Sequence, residues 1–215
     1  MQVVVDHLDL YRHGAWVTVQ LTVVSFALAF VVGVVVASLR VSPVPPLRAA
    51  ATVWVEVLRS TPLVVLFTIF IFGLTKVGIR YSYFVSAVIV LSAYTSTFVA
   101  ETVRAGILSV AGGQAEAARA LGFTFPQTLG IVVLPQALRV VVAPLGSVFI
   151  ALIKNSGIAA VFSVVELTSV ADTLGTSVSA QPVAAFVGAA VIYVIFGLLS
   201  GLAVGALERR VAMKR

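Results

Sequence analysis

The sequence predicts an all-α integral membrane protein with five transmembrane helices in a single domain that covers residues 1–215. Of its residues 60% are apolar and only 10% are charged, whereas soluble domains carry about 25% charged residues. The apolar residues fall into five runs, each long enough for the roughly 20 residues that a helix needs to cross a bilayer. The absence of cysteine excludes disulfides, thiolate metal sites and thiol nucleophiles.

The first predicted span, residues 15–39, contains no ionisable side chain. A proline-rich loop separates it from a second helix at residues 49–74, which is longer than one bilayer crossing. The first part of this second helix carries Glu56 and Arg59, so we place that part on the cytoplasmic side. Pro62 removes a backbone donor inside the helix, and we therefore expect a kink there.

The third span, residues 84–108, has a polar patch near its centre that includes Thr97. The fourth span, residues 137–165, is interrupted by a Lys-Asn-Ser-Gly run at 154–157. A polar segment follows, for which we expect an outer loop with a short helix. The last span, residues 183–207, leads into a basic tail.

The distribution of Lys and Arg predicts the orientation, because five spans place the two termini on opposite sides of the membrane. With the amino terminus outside, the inner cations are Arg40, Arg48, Arg59, Arg104, Arg119, Arg139, Arg209, Arg210, Lys214 and Arg215. The outer cations are then Arg12, Lys76 and Arg80, and Lys154 stays within the membrane zone. The positive-inside rule therefore predicts an N-out, C-in topology.

The polar segment at residues 112–135 is predicted to form two short helices joined at a glycine. Gly112 and Gly113 break the preceding helix, which places Glu116 in the first turn of the next one. An anion is stabilised there by the helix dipole. Gly122 is the expected C-terminal cap of this first short helix.

The second short helix is predicted to open at Thr124, which with Gln127 has the spacing of a capping box. Pro135 disfavours a helical conformation at Leu134, so we expect the helix to bend or end there. The two short helices would form a compact knob that a partner could approach closely.

Glu-Ala-Ala at 116–118 is followed by Gly122, Val132 and Leu-Pro at 134–135, and this spacing resembles the EAA loop of ABC-importer permease subunits. Val132 stands where that family often has isoleucine. The resemblance implies that the loop is a cytoplasmic coupling helix that docks into a groove of an ATPase subunit. The coupling residues that it implies are Glu116, Ala117, Ala118, Gly122, Leu134 and Pro135.

The resemblance covers nearly the full length of the chain. Segments 16–22, 59–63, 100–106 and 144–146 are similar to the polar amino-acid subgroup of these permeases. Segments 40–44 and 94–101 further resemble the glutamate-uptake permeases of actinobacteria. The family implies the type I ABC-importer permease fold in a bacterial plasma membrane. It also implies the partners: a second permease subunit in a heterodimer, two ATP-binding subunits and an extracytoplasmic amino-acid-binding protein, with membrane lipid around them.

The chain has no P-loop sequence, so we expect a transport subunit and not an enzyme. We expect no catalytic residue, metal site or cofactor on this chain, and the resemblance assigns ATP and magnesium to the partner ATPase. The positive charges are dispersed at the ends of the spans, as lipid headgroups require, and we therefore expect no nucleic-acid partner.

The predicted substrate is an acidic amino acid, L-glutamate, and the predicted binding residues are Lys154, Asn155, Ser156 and Thr97. Lys154 would supply a cation at membrane depth, while Asn155 and Ser156 would supply neutral donors to a carboxylate. Relatives in the subgroup commonly have aspartate at the position of Asn155, which would repel a side-chain carboxylate. Glutamine or a basic amino acid remains the alternative substrate, and Lys154 could instead reach the lipid headgroups.

A secondary carrier or channel is the alternative from another functional class, and a structural scaffold is a third. Carriers usually couple through intramembrane carboxylates and internal repeats, and neither is clear in this sequence. A scaffold would leave the loop at 112–135 unexplained. Glu101 and Arg104 lie one helical turn apart, and we expect a structural ion pair in preference to a transport role.

Overall fold

The long apolar runs of the sequence form long helices in the computed structural model, which describes residues 2–178 and 181–212. Lys214 and Arg215, two of the cations counted above, lie outside the described residues. Within the described ranges the regular structure is entirely helical. The helices are α1 (Gln2–Asp6), α2 (Leu8–Arg40), α3 (Pro45–Ser60), α4 (Leu63–Thr68), α5 (Leu74–Lys76), α6 (Tyr83–Leu108), α7 (Gly112–Ala120), α8 (Phe125–Gln127), α9 (Leu134–Ser156), α10 (Leu167–Thr173) and α11 (Pro182–Ala212).

Within the described ranges, three π-helical segments and one 3₁₀ segment each continue an α-helix directly, with no loop before them. The π segments are Ile69–Gly73, Thr128–Val133 and Leu174–Val178, and the 3₁₀ segment is Gly157–Phe162. In the described part of the chain, four helical stretches are long and apolar enough to cross a membrane: Leu8–Arg40, Tyr83–Leu108, Thr128–Phe162 and Pro182–Arg210. The remaining predicted span is a broken pair of helices.

The kink expected at Pro62 is a full break, because Pro45–Ser60 and Leu63–Lys76 meet at 104°. Thr61 (φ −97°, ψ 127°) and Pro62 (φ −56°, ψ 135°) are both extended. Proline disfavours the helical conformation in the residue before it. Thr61 and Pro62 therefore both leave the helix, and the chain breaks there, whereas loss of one backbone hydrogen bond alone would only have bent the helix. The position of the predicted kink is therefore confirmed, and the angle between the two helices is larger than the kink that was predicted.

The most extensive contact between helices is that of α2 with α6. Gly33 makes this approach possible, since a Cβ there would lie 2.6 Å from the Val99 Cβ and 2.8 Å from the Ser96 carbonyl oxygen. Beside this pair, Phe67 of α4 stacks on Phe162 with ring centroids 5.0 Å apart. That contact holds the broken second span against the end of the fourth.

The helix α2 begins at Leu8, about two turns before the predicted start of the first span at residue 15. Tyr11 explains the difference, because its side chain is buried and its hydroxyl donates to the Ala185 carbonyl oxygen of α11 at 2.8 Å. Residues that precede the predicted first span thus pack against the last helix. At the other terminus, α11 continues to Ala212, five residues past the predicted end at 207.

The fourth span keeps its α-helical form through Lys154 and Asn155 and tightens to 3₁₀ at Gly157. The interruption expected at 154–157 is therefore a change of helix type at its last residue. Ser163 then ends the segment in a left-handed conformation, with φ 64°. The short helix predicted in the following polar segment is confirmed as α10.

Candidate functional site

The segment between α6 and α9 folds back on itself, and we call residues 112–133 the elbow. Gly122 has φ +84° and caps α7. Its N–H donates to the Arg119 carbonyl at 3.0 Å, while the Phe123 N–H donates to the Ala118 carbonyl at 3.1 Å. These are the two bonds of a Schellman motif, so the predicted C-terminal cap is confirmed.

The second half of the elbow begins as predicted and continues differently. The Thr124 N–H donates to the Gln127 Oε1 at 2.9 Å, which supplies one of the two bonds of a capping box. Pro135 does not end or bend the helix, because Leu134 keeps helical angles and the π segment runs directly into α9. Pro135 is the second residue of α9, and the wider π turn before it accommodates a residue without an N–H.

Glu116 lies in the second turn of α7 and not in the first, because the helix already starts at Gly112. Gly112 and Gly113 are therefore helical, and the Gln114 N–H closes the first turn on the Ala111 carbonyl at 2.9 Å. Glu116 and Ala117 point outward, whereas Ala118 is buried. The elbow thus exposes a carboxylate and a small side chain on one surface.

At the tip of the elbow Leu121 is 79% exposed, although it is a large apolar residue. Leu134 is half-buried and Pro135 is exposed. Leu121 is thus an exposed apolar side chain directly before the fixed turn at Gly122.

A groove runs along the seam between α6 and α9 and contains two clefts. The first has a volume of about 240 Å³ and is lined by Tyr94, Thr95, Phe98, Ser147, Val148, Ala151, Leu152 and Asn155. We call it the Asn155 cleft. Tyr94 and Phe98 contact each other, with centroids 5.1 Å apart, and form its aromatic wall.

The second cleft lies nearer the elbow and has a volume of about 400 Å³. It is lined by Arg59, Glu101, Thr102, Ala105, Gly106, Val140, Val141 and Pro144, and we call it the Arg59 cleft. On α6 the two sets of lining residues continue one helical face, at positions 94, 98, 101 and 105. The clefts are therefore successive parts of one groove.

The four residues predicted to bind substrate do not lie together. Asn155 is half-buried and lines its cleft, and Lys154 is exposed in the last turn of α9. Thr97 is fully buried and its hydroxyl donates to the Tyr94 carbonyl of its own helix at 2.7 Å. Ser156 is also fully buried and donates to the Ile153 carbonyl at 2.7 Å. Each residue's position around its helix determines whether its side chain is exposed, as for Lys154, or buried in the bundle, as for Thr97 and Ser156.

Glu101 joins three helices through arginines, of which the sequence predicted only one. Arg104 lies 3.0 Å from its carboxylate, which confirms the predicted ion pair within α6. Arg40 from the end of α2 also donates to Glu101, and Arg59 from the end of α3 lies 3.8 Å away. The guanidinium of Arg59 also lies over the ring of Phe98, 5.3 Å from its centroid.

Glu166, the first residue after the predicted fourth span, is a fully buried carboxylate. Its Oε1 accepts from the N–H groups of Thr168 (2.7 Å) and Ser169 (3.1 Å), so it caps α10. Its Oε2 accepts from the hydroxyls of Thr18 (3.2 Å) and Tyr193 (2.6 Å). An acidic residue directly before a short helix is a capping signal that could have identified the first pair of contacts.

The described residues contain no group of three His, Cys, Asp or Glu side chains that could hold a metal ion. The polar groups that face the two clefts are hydroxyls, an amide and the charged cluster around Glu101, and they lie among aromatic and aliphatic side chains. Such groups bind and orient a polar solute.

Comparison with known proteins gives consistent similarities over the whole chain. The family described as "Binding-protein-dependent transport system inner membrane component" matches residues 29–213. The probable glutamine ABC transporter permease protein GlnM of Bacillus subtilis is 36% identical over 210 residues, covering 98% of this chain and 97% of the relative. The glutamate transport system permease protein GluC of Corynebacterium glutamicum is 40% identical over 212 residues, covering 93% of each.

The fold is also similar to a solved structure, described as the crystal structure of an amino acid ABC transporter with histidines. The TM-score is 0.91 at 32% sequence identity, and the match covers 96% of each chain.

Proposed function

The chain belongs to the family of binding-protein-dependent transport system inner membrane components, and from this premise we propose that it carries L-glutamate across the membrane for an ATP-driven importer. The full-length similarity to amino-acid permeases makes it a permease subunit of an amino-acid ABC importer, a multi-pass protein of the bacterial plasma membrane. Family membership also decides against a carrier, a channel or a scaffold. Glutamate as the substrate is our own inference.

The observation that carries the choice of glutamate is the chemistry of the Asn155 cleft. Its lining includes an amide, hydroxyls and aromatic rings, and no carboxylate is among them within the described chain. The next cleft along the groove contributes the guanidinium of Arg59 and the carboxylate of Glu101, and that carboxylate is paired with three arginines. A path that removes water from an anion needs neutral donors and cations, so this groove suits a substrate with net negative charge.

Lys154 adds a cation one residue from the cleft, and we retain it as a substrate contact at the cleft's end. Thr97 and Ser156 support the groove from behind, since their hydroxyls bond to their own helices in the single chain. We therefore expect the preference of the transporter for negatively charged substrates to depend most strongly on Asn155.

Replacing Asn155 with aspartate should lower glutamate uptake at least about tenfold and favour arginine or histidine. Two like charges about 4 Å apart repel by about 4 kcal/mol at an effective dielectric constant of 20, and 1.4 kcal/mol corresponds to a factor of ten. The measurement is competition among radiolabelled amino acids for uptake by the reconstituted transporter.

Asn155→Ala is the matched control, because it removes the amide without adding charge and should reduce uptake without reversing preference. Lys154→Ala tests the neighbouring cation in the same assay. If Asn155→Asp and Lys154→Ala both move glutamate at the wild-type rate, the binding site does not lie here. A wild-type preference for arginine or histidine would contradict the charge argument.

The groove also supports our proposal of a second permease subunit. On α9 the exposed residues Pro144, Ser147 and Ala151 follow each other along one face, and all three are small or polar. This face is poorly suited to lipid chains, and a second helix bundle would close the groove into a path. We propose a heterodimer with two ATP-binding subunits, which bind ATP and magnesium, and an extracytoplasmic binding protein.

The elbow is the part that we propose to contact the ATP-binding subunit. Its exposed Glu116 and Ala117, the protruding Leu121 and the fixed turn at Gly122 form a rigid contact surface. Leu134 and Pro135 would support this surface where the elbow meets α9. Coupling then requires the elbow to be cytoplasmic, as the N-out, C-in topology predicts.

Thiol labelling tests that topology, and the cysteine-free chain makes it free of background. A cysteine at Gln114, which is exposed on α7, should be protected from an impermeant reagent in intact cells and labelled after permeabilisation. A cysteine at Arg80, exposed at the opposite end, is the matched control and should be labelled in intact cells. Labelling of Gln114→Cys from outside would overturn the orientation.

Glutamine is the second candidate substrate, because the Bacillus subtilis relative is described as a probable glutamine permease. An amide would satisfy Asn155 as well as a carboxylate does. Glutamate and glutamine differ by one charge, so the arginines of the groove should separate them.

A further inference from the structure

The cluster around Glu101 has more positive than negative charge. One carboxylate faces the guanidinium groups of Arg40, Arg59 and Arg104, and the ion pairs of the described chain bring no other acid to them. The cluster therefore carries two uncompensated positive charges next to the groove. A buried or half-buried charge excess is costly unless an anion neutralises it.

Arg59 is the most loosely held of the three arginines. Its side chain is 42% exposed, compared with 12% for Arg40 and 32% for Arg104. Its nearest approach to Glu101 is 3.8 Å, to an oxygen that already accepts from Arg40. Its hydrogen-bond donors are thus free to serve another carboxylate.

Arg59 also lies where a solute in the groove would pass. It lines the second cleft, and its guanidinium covers the ring of Phe98, which lines the first. The contact between Phe98 and Arg59 therefore joins the wall of the first cleft to the wall of the second. From Asn155 to Val141 the distance along α9 is about 21 Å. One amino-acid molecule therefore cannot contact Asn155 in the first cleft and the far end of the Arg59 cleft at the same time.

We propose that Arg59 is a second carboxylate-binding position on the transport path, which receives the substrate after it leaves Asn155 and selects for negative charge. The inference rests on the proposed function. A guanidinium presents a planar pair of donors that matches a carboxylate, and its contact with Phe98 holds that plane in place. Arg40 donates to the Glu101 oxygen that lies 3.8 Å from Arg59, whereas Arg104 bonds to the other oxygen of the same carboxylate.

The test compares Arg59→Gln with Arg104→Gln in the complete transporter reconstituted with its partners. Arg104 bonds to the same carboxylate but is not among the residues that line the cleft, so it is the matched control. Uptake of radiolabelled L-glutamate and L-glutamine is measured at saturating binding protein, together with ATP hydrolysis. The quantity of interest is the ratio of the two uptake rates.

We expect Arg59→Gln to lower the glutamate-to-glutamine ratio about tenfold, as for a lost charge-assisted hydrogen bond, and Arg104→Gln to leave it unchanged. Arg59→Lys keeps the charge without the planar fork and should restore part of the ratio. An equal fall for both amino acids in Arg59→Gln would show a structural role only and overturn the inference.

If Arg59→Gln does not assemble, Arg59→Lys decides alone. A ratio reduced between about twofold and fivefold supports the inference, and a wild-type ratio overturns it. Failure of the proposed function gives a different result, because the wild-type transporter would then already prefer glutamine or a basic amino acid to glutamate before any substitution.

Discussion

Replacing Glu166 with alanine should strongly destabilise the folded protein and lower its thermal unfolding midpoint. The change removes the cap of α10 and leaves the Thr18 and Tyr193 hydroxyls without their shared acceptor. A lost cap costs about 1 kcal/mol and each lost hydrogen bond to a charged group about 1.5–3 kcal/mol. The sum is a large part of the roughly 5–15 kcal/mol by which proteins are stable.

Glu166→Gln should retain most of the stability, because the amide oxygen can still accept from the helix N–H groups. Its NH₂ can donate to the hydroxyl oxygens of Thr18 and Tyr193. Glu56→Ala is the matched control, since Glu56 is an exposed helix glutamate and should change little. The measurement is thermal unfolding of the detergent-solubilised chain, and equal midpoints for Glu166→Ala and Glu56→Ala would contradict the assigned role.

Reversing the charge of Glu116 should abolish ATP-driven uptake while leaving the helix bundle folded. Glu116 is exposed on α7, and its substitution removes no contact of the buried core. If the elbow docks on the ATP-binding subunit, a lysine there introduces a like charge or an unpaired one at the contact, which costs several kcal/mol. Co-purification of the ATP-binding subunit with the Glu116→Lys variant measures the effect directly.

Glu56→Lys makes the same change on α3 and should leave association intact. A second pair of variants tests the shape of the elbow without changing its charge. Gly122→Ala places a side chain on a residue with left-handed backbone angles, which costs about 1–2 kcal/mol. Gly130→Ala is its control, because Gly130 has open space around it and no positive φ. Undiminished association and uptake in both Glu116→Lys and Gly122→Ala would show that the elbow is not the contact.

Local sequence signals predicted the parts of the fold that depend on local chemistry. Gly122 was identifiable because only glycine adopts φ +84° without strain, and the third span ends at residue 108 as predicted. Pro62 indicated a bend in the second span. The angle of that bend depends on the packing of Phe67 against Phe162, which is 95 residues further along the chain, and a local sequence pattern does not contain such a contact.

The parts of the site that sequence reasoning missed depend on contacts between distant residues. Glu166 meets Thr18, which is 148 positions away, and Glu101 meets Arg40, which is 61 positions away. Thr97 and Ser156 were chosen for their polarity, but the rotation of each helix turned them into the bundle. Residue type therefore indicated candidates, and the tertiary fold determined which of them reach the groove.

The most direct test of the central claim is uptake of radiolabelled L-glutamate into proteoliposomes that contain the complete transporter and its binding protein. We predict accumulation that requires hydrolysable ATP on the side of the elbow, that no ion gradient replaces, and that unlabelled glutamate inhibits more strongly than glutamine or arginine. Glutamate uptake driven by an ion gradient without ATP would contradict the account.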